Sequence, residues 1–285
     1  MEHYDILIVG GGAAGIAAAK ECASAKVLLV DRKKGLGGVL RQCTHHGFGK
    51  NKSGIEYAAD LIKDFPKDIF LALDTTVLSV SREKTALLSG RDFGLREVRF
   101  SQLILATGCR EIPMGALPIG GTRPKGVYTA GQMQEMMNLH GYLPEGPVVI
   151  LGSGDLGLIM AKQLAEAGLT VTLVEKKDRC GGMARNQRCL EEFPIRLICG
   201  DTIEEVRGYP HITGCATGKG IHIPCGTLLI AAGLIPEREL IFGLENCHWL
   251  HICGNCNTVH PMVEAVVNEG KQAGLAAWER LRGSL

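Results

Sequence analysis

The chain has 285 residues, 46% apolar and 21% charged, a composition that suits a globular protein with two cores of ordinary size. Its net charge of +1 leaves no electrostatic footprint for nucleic acid. No apolar run reaches the roughly 18 residues that a membrane span requires. The 11 cysteines, scattered and odd in number with no export signal before them, point to reduced thiols in a cytoplasmic setting. No Cys/His spacing suits a metal site.

The stretch Ile6–Ala19 follows acidic Glu2 and Asp5 and is broken by three glycines. It therefore reads as strand, turn and helix rather than as a signal-peptide core. Ile6–Val9 is an apolar run of the kind buried on both faces of a parallel sheet. Gly10, Gly12 and Gly15 follow with G-x-G-x-x-G spacing, with Ala13 and Ala14 inside the motif. An Ala-rich helix comes next, then a second apolar strand, Val27–Val30, ending on Asp31 and Arg32. In such a unit the first glycine permits the tight turn, the second lets backbone approach a pyrophosphate, and the third lets helix pack on strand. The helix N-terminus offers N–H groups to phosphate, and the terminal acid accepts from ribose hydroxyls.

The segment GGVLRQCTHHGFG (Gly37–Gly49) holds Gly38, Val39, Arg41, Cys43 and His45. Cys43 and His45 admit two readings, a packed thiol with a structural imidazole, or a catalytic pair that carries protons or charge at a redox centre. LILATGCREIP (Leu103–Pro113) reads as a strand followed by the turn Ala106-Thr107-Gly108.

The glycine unit then recurs. Val148–Leu151 is the strand, and Gly152, Gly154 and Gly157 are the turn, with Asp155 and Leu156 inside it. Leu158–Ala167 is the helix, capped by Gly168, and Val171–Val174 leads to Glu175. Two copies imply two dinucleotides, as redox exchange between them requires. Glu175 favours NADH, because a carboxylate accepts from a ribose 2′-hydroxyl and repels a 2′-phosphate. Lys176, Lys177 and Arg179 follow and soften that repulsion. LLIAAGLIPE (Leu228–Glu237) supplies a second exit turn at Gly233, and HICGN (His251–Asn255) ends on Gly254-Asn255. Cys253 and Cys256 form the one CxxC, either small packing residues or a redox pair. The last segment, from His260 to Leu281, reads as one amphipathic helix with Pro261 in its first turn.

Taken together, the paired glycine motifs, the Ala-Thr-Gly and Ala-Ala-Gly exits and the late Gly-Asn turn resemble the two-dinucleotide-binding flavoproteins, which include glutathione and thioredoxin reductases. The resemblance covers essentially the whole chain. It implies an α/β fold of two Rossmann-like three-layer domains, with the NAD(P) domain (residues 114–245) inserted into the FAD domain (residues 1–113 and 246–285). Hinges are expected at Gly115–Gly121 and Phe242–Glu245. The implied cofactors are FAD on the first motif and NADH (or NADPH) on the second. The Gly-Asn turn stands where the family has Gly-Asp at the flavin ribityl and phosphate. The closing helix points its N-terminus at the flavin in that family.

The Gly37–Gly49 signature is similar to that of bacterial FAD oxidoreductases that include subunits of opine, sarcosine and hydrogen-cyanide-forming dehydrogenases. That similarity implies hydride transfer between NAD(P)H and flavin N5. Electrons then pass to a small-molecule or protein acceptor, or to a partner dehydrogenase subunit. The paired cysteines of glutathione reductase are absent beside Cys43, and Tyr128–Leu143 carries no cysteine where thioredoxin reductases have theirs. A dithiol–disulfide reductase using Cys253 and Cys256, and a non-catalytic nucleotide or redox sensor, stand as the alternatives.

Overall fold

The computed structural model describes residues 1–283. The chain forms two compact units, one built from Met1–Arg110 with the chain from Ile235 onward, the other from Glu111–Leu234. The chain thus crosses at 110/111 and 234/235, where the sequence suggested 113/114 and 245/246. The expected hinges lie inside the units. Met114, Leu117 and Ile119 pack into the second core, while Ile241 and Leu244 are buried in the first. Burial of these apolar side chains fixes the segments to their own unit.

In the first unit a parallel sheet runs Phe70–Ala72, Val27–Val30, Glu2–Val9, Gly94–Leu105. Glu2–Val9 is longer than the apolar run because Glu2, His3 and Tyr4 also pair, with Val98, Arg99 and Phe100. Gly94–Leu105 has two roles. Its first half pairs antiparallel with Thr85–Gly90, which pairs with Thr75–Val80, and its last residues pair with Leu250–Ile252.

Alternation along Glu2–Val9 makes two cores, as the pleat requires. Ile6 and Ile8 face Ala14, Ala18, Ala273 and Ala277 of the helices Ala13–Glu21 and Val263–Gly283. Leu7 and Val9 face a cluster that holds Phe100 and Trp249 edge to face at 5.3 Å. The two helices touch backbone to backbone. A Cβ on Gly270 or Gly274 would collide with the carbonyls of Ala14 and Ala18. The closing helix begins at Val263, so Pro261 precedes its first turn.

The second unit repeats the plan. Its parallel sheet runs Val127–Thr129, Thr227–Ile230, Val148–Leu151, Val171–Glu175, Arg196–Cys199. Val148 and Ile150 face Leu158, Ala161 and Leu164 of the helix Asp155–Glu166. That helix starts three residues before the predicted Leu158, since Gly154 is its N-cap and the turn leads straight into it. Val149 and Leu151 face a four-stranded sheet formed by Gly120–Gly121, Ile203–Arg207, Gly214–Thr217 and His222–Pro224.

Candidate functional site

Each unit presents a glycine turn at the carboxyl end of its central strand, and the two turns have the same construction. Gly10 and Gly152 have φ of 109° and 104°, conformations open to glycine but strained for other residues. Gly15 and Gly157 lie under the carbonyls of Gly10 and Gly152, where a Cβ would collide. The middle glycines differ from these in kind. Gly12 has φ −79° and a Cβ there would meet nothing nearer than Gly38 Cα at 4.0 Å. Gly154 has φ −64° and a Cβ would meet no protein atom within 4 Å. Neither the backbone nor the packing of the protein requires glycine at these two positions. Glycine at such places is what a pyrophosphate cradle uses to let a ligand approach the backbone closely. Helices open at both places, with Ala13 and Ala14, or Asp155 and Leu156, in their first turns.

The terminal acids are held alike. Asp31 is buried, and its carboxylate accepts from Gly11 N at 2.6 Å and Lys33 N at 2.7 Å. Glu175 is buried and accepts from Ser153 N at 2.8 Å, Ser153 Oγ at 2.7 Å and Lys177 N at 2.9 Å. Burial raises the Glu175 pKa, but these hydrogen bonds and the Lys177 charge outweigh it and hold the carboxyl below its usual range. Ser153 is fully buried and was not singled out from sequence. Its signal was its place at the second position of the turn, where the first unit has Gly11.

Around the first turn, Gly38 (φ 54°) lies against Gly12, and Val39 and Arg41 are exposed beside it. Arg32 is exposed next to Asp31. Cys43 is buried behind the short helix Gly38–Gln42, its thiol donating to Val39 O at 3.3 Å. Burial pushes its pKa up to about 12, so it is a neutral thiol at neutral pH. His45 is half-buried with its ring 5.2 Å from that of Phe48. Ala106 is buried behind the turn. Thr107 Oγ1 donates to Glu237 O at 2.6 Å, and Gly108 has φ 76°. Gly233 forms the matching exit in the second unit with φ 128°.

Gly254 has φ 69° and opens a short 3-10 turn. Its N–H donates to Glu269 Oε2 at 2.8 Å, and Asn255 Oδ1 accepts from His260 N at 3.0 Å. His260 Nε2 lies 2.7 Å from Glu269 Oε1, which ties the turn to the closing helix. Glu269 and His260 carried no motif in the sequence. Both CxxC thiols donate to Leu105 O, Cys253 at 3.7 Å and Cys256 at 3.2 Å, with Cys253 in the helix-side core and Cys256 in the opposite one, and burial raises the Cys253 thiol further. Among the described residues none of the 11 cysteines is in a disulfide.

Comparison with known proteins agrees with this geometry. Residues 4–251 match the pyridine nucleotide-disulphide oxidoreductase family, and the chain belongs to it. One of the subunits of the opine oxidase of Agrobacterium tumefaciens (strain Ach5) is 34% identical over 274 residues, covering 84% of this chain and 54% of that protein. The 5,5'-dehydrodivanillate O-demethylase ferredoxin reductase subunit of Sphingobium sp. is 26% identical, covering 93% and 67%. This chain spans about half the length of several curated relatives that it matches. Thioredoxin reductase from T. acidophilum shares the fold, with a TM-score of 0.79, 20% identity and coverage of 98% and 99%.

Proposed function

We propose that this chain is the FAD-binding, NAD(P)H-dependent component of an electron-transfer system, with FAD on the first turn, the nicotinamide nucleotide on the second, and a separate protein or partner polypeptide as acceptor. The observation that carries the reading is the pair of middle glycines, Gly12 and Gly154, whose lack of a side chain serves no packing need of the protein. Two relatives bear on the partner, since one is named as part of an opine oxidase and the other as a ferredoxin reductase component of a demethylase. A cytoplasmic site belongs to the same reading. Among the described residues no helix is long and apolar enough to cross a membrane.

The residues divide the work. Gly10 to Gly15 and the N-terminus of Ala13–Glu21 receive a pyrophosphate, and Asp31 accepts from ribose. Gly254 and Asn255, fixed by Glu269 and His260, border the same ligand. Bound flavin supplies two-electron exchange with a nicotinamide on one side and an acceptor on the other. Of the pair at Cys43 and His45, the imidazole is the group suited to carry a proton near neutral pH. Cys43, a neutral thiol, is hydrogen-bonded to Val39 O instead. The burial of Cys253 and Cys256, which raises the Cys253 pKa, disfavours a dithiol reductase.

The test is purification and anaerobic titration. The protein should be yellow and release FAD on acid treatment, and NADH should bleach the flavin band. Release of FMN, or failure to take up any flavin on reconstitution, rejects the reading. His45→Ala should keep its FAD and slow only re-oxidation by an acceptor.

A further inference from the structure

The repeat between the units runs past the acid that closes each glycine motif. Six residues after Asp31 stands Gly37-Gly38-Val39-Leu40-Arg41-Gln42, and six after Glu175 stands Gly181-Gly182-Met183-Ala184-Arg185-Asn186. The structure places the two double glycines alike. Gly37 N donates to Gly11 O at 2.8 Å, and Gly181 N donates to Ser153 Oγ at 2.7 Å, the same turn position in each unit. A Cβ on Gly38 would lie 3.0 Å from Gly12 Cα, and one on Gly181 would lie 3.5 Å from Gly154 N. The first loop therefore lies against Gly12, and the second lies against Ser153 and the Gly154 N–H while the Cα face of Gly154 stays open.

One difference sets the second loop apart. Its helix begins with Asp155 where the first has Ala13. Asp155 Oδ1 accepts from Met183 N at 2.7 Å and from Asn186 Nδ2 at 2.6 Å, latching the loop to the helix start. Gln187 Nε2 closes the loop on itself by donating to Gly181 O at 2.9 Å. The latch also leaves a carboxylate at the mouth of a phosphate cradle. A dianionic pyrophosphate approaching Gly154 meets that like charge, which the first turn does not present. A cation is needed to offset it. Arg185 is exposed and stands between the two residues that donate to Asp155.

We propose that Arg185 is a phosphate-binding residue for the second dinucleotide, carried beside the turn by the Asp155-latched loop. The proposal rests on the reading that this unit binds NAD(P)H. A guanidinium suits the role because its planar donors match two phosphate oxygens at once. Arg41 occupies the matching place in the first unit. The loop is thus a second, previously unmarked part of the duplicated nucleotide-binding device.

The test is nucleotide affinity of the FAD-loaded protein, read by equilibrium titration with NADH and, without any redox event, with ADP-ribose. Arg185→Ala should weaken both by about ten- to a hundredfold, the loss expected for one charge-assisted contact. Arg185→Lys should recover part of it, and Arg188→Ala, an equal charge change three residues on, should shift either by less than about twofold. FAD content and thermal midpoint should stay at the wild-type values. Wild-type affinity in Arg185→Ala overturns the proposal while leaving the nucleotide reading intact. An equal loss in Arg188→Ala also overturns it, by showing a diffuse charge effect. If the wild type binds neither ligand, the nucleotide reading falls and takes the proposal with it.

Discussion

The two glycine units of this chain are one device at two settings. In the first, the turn is Gly10-Gly11-Gly12-Ala13, uncharged, and its helix is pressed against the closing helix through Gly270 and Gly274. In the second, the turn is Gly152-Ser153-Gly154-Asp155, charged at the helix start, with a latched loop above it. The acids differ in what they have left to give. Each oxygen of Asp31 accepts one N–H, so each keeps a lone pair for a ribose hydroxyl. Glu175 Oε2 accepts two donors from Ser153, and only Oε1 keeps one. A site with two free acceptors and a rigid helical backing suits a resident group. A site with one acceptor and a carboxylate at its mouth suits a ligand that must leave.

The largest effect expected from this contrast is at the middle glycines. Alanine fits both places in the free protein, and removing a glycine from the unfolded chain adds about 0.4–1 kcal/mol of stability where the backbone permits it. Gly12→Ala should therefore fold at least as well as wild type yet lose FAD. Gly154→Ala should keep FAD and lose NADH affinity by about a hundredfold, roughly 3 kcal/mol. Chemical denaturation and flavin content measured together check this. Loss of flavin in Gly154→Ala would exchange the assignments of the two units.

Gly270→Ala comes next. Its Cβ would collide with the Ala14 carbonyl, and overpacking of this kind costs on the order of 1–3 kcal/mol. Urea unfolding should show the loss in the first unit alone. Trp249 and Trp278 both belong to that unit, so tryptophan fluorescence reports it selectively.

A smaller effect separates the units by pH. Burial, with help from the Arg280 charge, lowers the His251 pKa from 6.5 to about 4. The unfolded chain takes up the proton at the higher value, so first-unit stability falls as pH drops from 6.5 toward 4. Glu175 has a lowered pKa, so its contribution persists to below 4.5 before it is lost. Urea midpoints by tryptophan fluorescence should decline between pH 6.5 and 4.5, and His251→Gln should flatten the decline. A midpoint unchanged over that range would show that His251 is solvated.

Much of this device was legible in the sequence because glycine spacing and terminal acids have fixed backbone tasks. Gly10 and Gly152 must reach positive φ, and Asp31 and Glu175 end strands at the turn. The two strand–turn–helix–strand units followed from the repeat. What stayed hidden were partners that only packing brings together. Glu269 reaches Gly254 across 15 residues, and Asp155 reaches Asn186 across 31. No periodicity links such pairs. The segments near Gly115 and Phe242 look like linkers in the sequence, whereas Ile119 and Leu244 are core residues. The closing helix started late for the opposite reason, since Pro261 signals a first turn but the chain becomes helical only at Val263.

The finest test concerns the adenosine ribose of the nicotinamide nucleotide. Glu175 is charged, buried and held by three donors, so it cannot swing away from a 2′-phosphate. Its one remaining acceptor position, on Oε1, matches one ribose hydroxyl. Lys176, Lys177 and Arg179 lie on the same loop and favour a phosphate, but they are exposed and screened by salt. The fixed carboxylate should win, so NADH should reduce the flavin faster than NADPH. Glu175→Gln removes the charge but sets its NH2 against the N–H of Ser153 or Lys177. It should weaken NADH binding and still narrow the preference by about tenfold, roughly 1.4 kcal/mol. Raising ionic strength should widen the preference in wild type, because it weakens the lysines and arginine more than the buried carboxylate. Stopped-flow reduction with both nucleotides at low and high salt reads each outcome. Faster reduction by NADPH at both salts would show that the basic loop, rather than Glu175, sets the choice.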